Sequence, residues 1–281
     1  MRILLTGGSG FIGQEFQEAF GNHYIITAPS HDEMDVTNEQ QARKMVKEVE
    51  PEVVIHLAGL VSKEECEREP ERAMRVNAEG TRIMAAVAAE YGAFFFYLST
   101  DFVFAGDRSK PYAESDVPSP RNSYGRSKLQ GEKYIREVCG DHSCLIVRTS
   151  RVFGKYGKNF ISTLPQRMKN EPSIQLVHDC VSSFTYAPDL ANAVENLLQT
   201  EAHGIIHLMN SGACSIWDFA HHIKSKLHLQ THLEKIRMDD FHEPAPLPRY
   251  TVLASEHSLE KYHPLRSWET ALDEFLNTIS Q

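Results

Sequence analysis

No stretch of this chain is apolar for the roughly 20 residues a membrane span needs. The most apolar run, "AFFFYL" at 93–98, has the length of one buried strand. Long lysine or arginine runs are missing too, and 29 basic residues against 38 acidic ones leave a formal charge of −9. That balance argues against nucleic acid or an anionic membrane as a partner. The five cysteines (Cys66, Cys139, Cys144, Cys180, Cys214) are an odd set without a C-x-x-C pair, which points to reduced thiols rather than a disulfide framework. The 14 histidines include no H-E-x-x-H, and the adjacent His221 and His222 would point about 100° apart on a helix. No metal site is expected. The chain enters a strand at once, without the basic-then-apolar layout of a signal peptide, so a cytoplasmic location is expected. Internal repeats and low-complexity segments are absent.

What is present starts at "TGGSGFIG", residues 6–13, behind the apolar "RILL". Gly8, Gly10 and Gly13 satisfy G-x-G-x-x-G, and Gly7, Gly10 and Gly13 satisfy G-x-x-G-x-x-G. Either spacing gives a tight turn, close backbone approach to a pyrophosphate and close helix–strand packing. The amphipathic "FIGQEFQEAF" that follows presents a helix N-terminus to the phosphates. Through residue 154, short strands ("RILLTG", "HYIITAPS", "EVVIHLAG", "AFFFYLSTD", "SCLIVRTS") alternate with helices ("NEQQARKMVKEVE", "ERAMRVNAEGTRIMAAVAAEYG", "YGRSKLQGEKYIREVCG"). Such βαβ units predict an α/β fold, a doubly wound parallel sheet of Rossmann type covered on both faces.

Residues 155–281 break that rhythm, with an irregular loop at 243–250 and helices over "SIWDFAHHIKSKL" and "SWETALDEFLNTI". They are expected partly to complete the sheet of the dinucleotide-binding unit, residues 1–154, and partly to form a smaller lobe over its C-terminal edge. Open α/β sheets bind ligands at that edge, so the lobe is the expected carrier of substrate specificity.

The chemistry centres on "YGRSK". Tyr124 and Lys128 are four apart and share a helix face. A lysine charge beside the phenol would lower its pKa from about 10 and make it a usable general acid or base. Just upstream, "YLSTD" ends a strand where Ser99 or Thr100 can add a hydroxyl.

With these residues in view, the chain resembles the extended short-chain dehydrogenase/reductases, and within them the dTDP-4-dehydrorhamnose reductase branch. The resemblance runs through "TGGSGFIG", "MDVTN" (34–38), "PEVVIHLAG" (51–59), "VNAEGT" (76–81), "STDFVFAG" (99–106), "PRNSYGRSKLQGE" (120–132), "RTSRVFGKYGKNF" (148–160) and "SWETAL" (267–272). It implies that Gly7, Gly10, Phe11, Ile12 and Gly13 form the pyrophosphate loop. Asp35 and Val36 would lie beside the adenine, and Ala58, Gly59 and Leu60 beside the nicotinamide ribose. Thr100, Tyr124 and Lys128 would be the catalytic triad, with Tyr124 protonating the sugar oxygen and Lys128 also holding the ribose. Thr100, Asp101, Phe102, Arg151 and Thr185 would line the substrate. Asn77 reads equally as a buried polar residue of the core.

The resemblance implies reduction of a 4-keto-6-deoxy sugar on a nucleoside diphosphate. Related dehydratases carry an Asp-Glu pair where this chain has Asp101-Phe102, and phenylalanine cannot take a proton, so elimination is disfavoured. Other departures fall on the sugar side. Arg151 stands where the family has Trp, Phe102 where it has Tyr, Cys180–Thr185 in place of Gln-x-Gly-x-Pro-Thr, and Leu247-Pro248 in place of Arg-Pro. Arg151 has two readings, one on a diphosphate or charged sugar substituent and one on a local carboxylate. The second strand ends with Ala28, Ser30 and His31 rather than an acid, so NADPH is the expected cofactor with NADH tolerated. The expected assembly is a monomer or homodimer. A nucleotide-sugar epimerase and a non-catalytic NADP-binding regulatory subunit are the competing functions.

Overall fold

In a computed structural model, residues 1–140, 143–200, 202–241, 245–255 and 265–280 are described. In chain order the elements are β1 (Arg2–Thr6), α1 (Phe11–Phe20), β2 (Ile25–Thr27), α2 (Glu39–Val49), β3 (Val53–His56), α3 (Lys63–Arg68), α4 (Pro70–Met74), α5 (Gly80–Glu90), β4 (Phe94–Thr100), α6 (Ser123–Cys139) and β5 (Cys144–Thr149). There follow β6 (Val152–Phe153), α7 (Phe160–Asn170), β7 (Ser173–Val177), β8 (Val181–Ser182), β9 (Thr185–Tyr186), α8 (Ala187–Leu198), β10 (Gly204–His207), β11 (Cys214–Ser215), α9 (Ile216–Lys226), β12 (His232–Ile236), β13 (Tyr250–Thr251) and α10 (Trp268–Thr278).

The main sheet has the expected doubly wound form: six parallel strands in the order β10-β5-β4-β3-β1-β2. The order reverses between β1 and β3, the crevice where such folds take ligands. Strand alternation sorts the apolar residues to two faces. Ile3, Leu5, Phe96 and Leu98 meet Phe16 and Phe20 of α1 and Leu190, Val194 and Leu197 of α8. Leu4, Phe95 and Tyr97 meet Val46 of α2, Met84 and Val87 of α5, and Ile135 of α6. A separate core, including Phe153, Leu164, Phe184, Phe219, Trp268 and Phe275, holds the lobe together. Its strands form a β11-β8-β13 sheet and two pairs, β12-β7 and β6-β9.

Two elements differ from expectation. The second strand was expected over 23–30 but covers only Ile25–Thr27, because Pro29 has no N–H for a ladder and Ala28 already packs against Gly8. The helix expected over 71–92 runs from Pro70 to Glu90 but contains a π turn at Arg75–Glu79, preceded by the short α3. The π turn rotates Asn77 into the interior, where it is 1 % exposed. Of the loop expected at 243–250, residues 243 and 244 lie outside the described residues. Pro246 to Tyr250 run beside the main unit: Asn122 Nδ2 donates to Pro246 O at 2.9 Å and Tyr250 N to Gly106 O at 3.2 Å.

Candidate active site

The glycine loop leaves β1 through Gly7, whose φ of +74° is open to glycine at little cost. A Cβ there would lie 2.7 Å from the Ala58 nitrogen. Gly10 caps α1 in an extended conformation, with no side chain on the helix end and no acid in its first turn. A Cβ on Gly10 would meet only Gly7 O, at 3.1 Å. The N-terminal amides of α1 are therefore open to an anion, with half-buried Phe11 and Ile12 beside them and buried Gly13 packed on Gly7 and Gly8. A dinucleotide pyrophosphate fits this cradle.

The strand ends around the cradle are pinned by a chain of hydrogen bonds. Ala58 N donates to Thr6 Oγ1 at 3.2 Å, Thr6 Oγ1 meets His56 Nδ1 at 2.8 Å, and His56 Nε2 meets Thr81 Oγ1 at 3.1 Å. Thr81 Oγ1 donates on to Asn77 O at 2.7 Å. Every proton has a place only if His56 is neutral and protonated on Nε2. Burial and the neighbouring Lys128 push its pKa down to about 3. Asn77 then ties the loop after β3 to α6. Its Oδ1 accepts from Leu60 N at 2.7 Å, and its Nδ2 donates to Leu60 O and to Ser127 Oγ, both at 2.9 Å. A Cβ on exposed Gly59 would lie 2.9 Å from Asn77 Oδ1. His56 and the Asn77 bridge were not legible as a pair; a histidine ending the apolar run "VVIH" was the available signal.

Where the adenine is expected, Asp35 Oδ1 accepts from Thr37 N and Oγ1, both at 2.8 Å, and buried Val36 packs against Gly80. Asp35, Thr37, Asn38, Gln40 and Arg43 line an open depression. Ser30 binds Glu33 and Arg43 binds Glu39 and Glu90, so neither is an uncommitted clamp for a 2′-phosphate.

Thr100 ends β4 at the C-terminal edge of the sheet. Its hydroxyl donates to Asp101 Oδ1 at 3.1 Å, accepts from Phe102 N at 3.2 Å and bonds the Tyr124 phenol. Tyr124 lies in the first turn of α6, which Asn122 Oδ1 caps by accepting from Gly125 N at 2.8 Å. Phe102 stands edge-on to Tyr124 with ring centres 5.9 Å apart. One turn on, Lys128 lays its Nζ over the Tyr97 ring at 4.0 Å. A further turn on, buried Glu132 holds Arg148 of β5 by a two-pronged ion pair, which fixes α6 against the sheet.

The structure corrects one electrostatic expectation. Lys128 was expected to lower the Tyr124 pKa. Instead burial raises the phenol above its usual range, with Asp101 adding to the rise. Lys128 is itself pushed down to about 7 by burial, so its charge is too weakly held to compensate. Tyr124 is a protonated group at neutral pH.

Of the residues expected to line the sugar, Arg151 is half-buried, whereas Phe102, Asp101 and Thr185 are buried. Asp101 is 2 % exposed, and its second oxygen accepts from Ser150 Oγ at 2.7 Å. Thr185 is fully buried, accepting from Thr149 Oγ1 at 3.0 Å and donating to Ser150 O at 2.8 Å. Both turn their polar groups inward onto Ser150, where the chain leaves β5 for the lobe. They support the residues that face the cleft. Among the described residues Arg151 pairs with no carboxylate, and its Nε donates to Ser182 Oγ at 2.6 Å. Among the described residues no three His, Cys, Asp or Glu gather as a metal site.

A dinucleotide cradle at the switch point, with Thr, Tyr and Lys on the adjoining sheet edge, defines an extended short-chain dehydrogenase/reductase. A family model described as "RmlD substrate binding domain" matches residues 1–281. A dTDP-4-dehydrorhamnose reductase of Mycolicibacterium smegmatis is 34% identical over 97% of this chain and 84% of its own. The spore coat polysaccharide biosynthesis protein SpsK of Bacillus subtilis is 32% identical over 98% and 96%. Among solved structures, a dTDP-4-dehydrorhamnose reductase of Bacillus anthracis in complex with NADP superposes with a TM-score of 0.94 at 33% identity, covering 99% of both chains. The chain belongs to the RmlD family of dTDP-4-dehydrorhamnose reductase-like proteins.

Proposed function

We propose that this protein is an NADPH-dependent reductase of a 4-keto-6-deoxy sugar carried on a nucleoside diphosphate, of the kind that serves cell-surface polysaccharide synthesis. The observation that carries this reading is Thr100, Tyr124 and Lys128 on one sheet edge, beside an anion cradle at the switch point. Two of the relatives named above are dTDP-4-dehydrorhamnose reductases, one of them bound to NADP, and the third is a polysaccharide biosynthesis protein.

When bound, NADPH supplies the hydride. The α1 amides and Gly7, Gly10, Phe11, Ile12 and Gly13 hold its pyrophosphate. Asp35 and Val36 border the adenine, and Ala58, Gly59, Leu60 and Lys128 border the nicotinamide ribose. Tyr124, protonated at neutral pH, donates its phenolic proton to the sugar oxygen as negative charge develops there. Thr100 orients that phenol, and Asp101 orients Thr100. A buried carboxylate beside the phenol disfavours phenolate, so Tyr124 is set as an acid, the role reduction requires. Phe102 walls the site where a dehydratase needs a second carboxylate.

The test is a panel of 4-keto sugars on dTDP, UDP, GDP and CDP, followed by NADPH absorbance. Stoichiometric NADPH loss with one of them is expected. Interconversion of sugars without net NADPH loss would favour an epimerase, and no reaction with any of them a regulatory subunit.

A further inference from the structure

Arg151 sits where β5 hands the chain to the lobe. Its φ of +38° lies in the left-handed region, a backbone state that costs a non-glycine residue energy and persists where its surroundings demand it. Other arginines are committed to acids: Arg43 to Glu39, Arg108 to Asp116, Arg148 to Glu132, Arg266 to Asp189. Arg151 makes no ion pair among the described residues. It is held by Ser182 Oγ alone, with its guanidinium 5.8 Å from the centre of the Phe184 ring. Its terminal nitrogens have no protein acceptor among the described residues, yet they are not sealed in, unlike Nη1 of Arg148. Asp101 is the acid that most offsets its burial, and both Asp101 oxygens are already taken by Thr100 and Ser150.

The position tells which anion is meant. Thr149 pairs with Thr100 in the sheet register, so Arg151 lies just past the catalytic hydroxyl on the side of the lobe. The glycine loop follows β1, three strands from β5 and therefore about 14 Å away.

We propose that Arg151 is a specificity-determining residue that docks a two-oxygen anion of the substrate, either a carboxylate on the sugar or the diphosphate that carries it. This rests on the reading of the cleft as a nucleotide-sugar site. A guanidinium presents two parallel N–H donors that match a carboxylate or phosphate edge, and partial burial keeps water from competing.

The experiment is titration calorimetry of the NADPH-loaded protein with dTDP, dTDP-glucose and dTDP-glucuronate, on wild type, Arg151→Gln and Arg151→Gly. The glycine variant suits the left-handed backbone and guards against a folding failure. Removing the charged donor should weaken the recognised ligand about 10- to 150-fold and leave NADPH affinity unchanged. Weakening of all three ligands assigns the diphosphate; weakening of dTDP-glucuronate alone assigns a sugar carboxylate. Equal Kd values for wild type and both variants overturn the proposal, as does failure of wild type to bind any of the three. If Arg151-dependent binding is found but no 4-keto sugar is reduced, the reductase reading fails alone. If turnover is intact and equal in all three proteins with equal Kd values, this inference fails alone.

Discussion

Asn77 Nδ2 and Ser127 Oγ are 2.9 Å apart, and this contact links the loop after β3, through Asn77, to the helix that carries Tyr124 and Lys128. The same amide pairs with both backbone groups of Leu60. Asn77→Ala should lower stability by about 1–3 kcal/mol through the groups left unpaired. NADPH affinity and kcat should fall together, because the ribose loop and the catalytic helix lose their common tie. Asn77→Asp can still accept from Leu60 N but cannot donate, and should fall in between. Chemical denaturation with NADPH titration checks this; an unchanged Kd in Asn77→Ala would refute the coupling.

Tyr124→Phe should remove about 10²- to 10⁴-fold of turnover, the range for loss of a general acid, with NADPH affinity unchanged. Steady-state kinetics beside a direct binding measurement separates the two. A fully active variant would rule out Tyr124 as the proton donor.

Burial brings Lys128 down to about 7, below its ordinary range near 10.5, so it loses charge as pH rises through neutrality. NADPH affinity of the free protein should weaken between about pH 6 and 8 if the ammonium holds the ribose. The same shift acts on stability. Between the folded and unfolded values the unfolded chain binds the proton that the native state refuses, so Lys128 costs stability below about 7 and the cost is relieved as pH climbs above it. Lys128→Met should flatten both profiles. Titrations at stepped pH on both proteins test this.

Two glycines of one loop should behave differently. Gly10→Val meets only the Gly7 carbonyl oxygen, at an ordinary φ, and projects over the helix end, so the protein should fold and lose NADPH binding. Gly7→Val meets the Ala58 backbone at a positive φ and should compromise folding itself. Calorimetry on Gly10→Val and its far-UV circular dichroism supply the comparison; normal NADPH binding by Gly10→Val would reduce the loop to a turn.

The sheet was legible because each strand is a short apolar run and each covering helix is amphipathic, and those periods survive in the structure. The π turn at 75–79 was not, since "ERAMRVNAEGTRIMAAVAAEYG" keeps helical spacing on either side of the extra residue. That Tyr124 and Lys128 lie one turn apart on α6 could be read from a spacing of four, but the direction of the phenol's shift could not. It depends on how deeply both groups are buried, which spacing does not encode. Asp101 and Thr185 show the same limit: sequence placed them near the cleft, and only the fold brings both onto Ser150 and so turns them inward. For Arg151 the sequence left a carboxylate partner open, and the structure provides Ser182 instead.

The last strand of the main sheet, β10, and the helix α8 before it come from chain that lies beyond the catalytic residues. Leu190, Val194 and Leu197 cover the same apolar face as α1. A chimera that exchanges everything after residue 154 for the corresponding part of a relative would thus replace half of one wall of the nucleotide-binding unit along with the sugar pocket. A donor segment grafted to alter sugar choice has to match Phe16 and Phe20 in shape as well as the new sugar in chemistry. Swapping only 155–186 and 209–255 would leave Leu190, Val194, Leu197 and Leu208 of that wall in place.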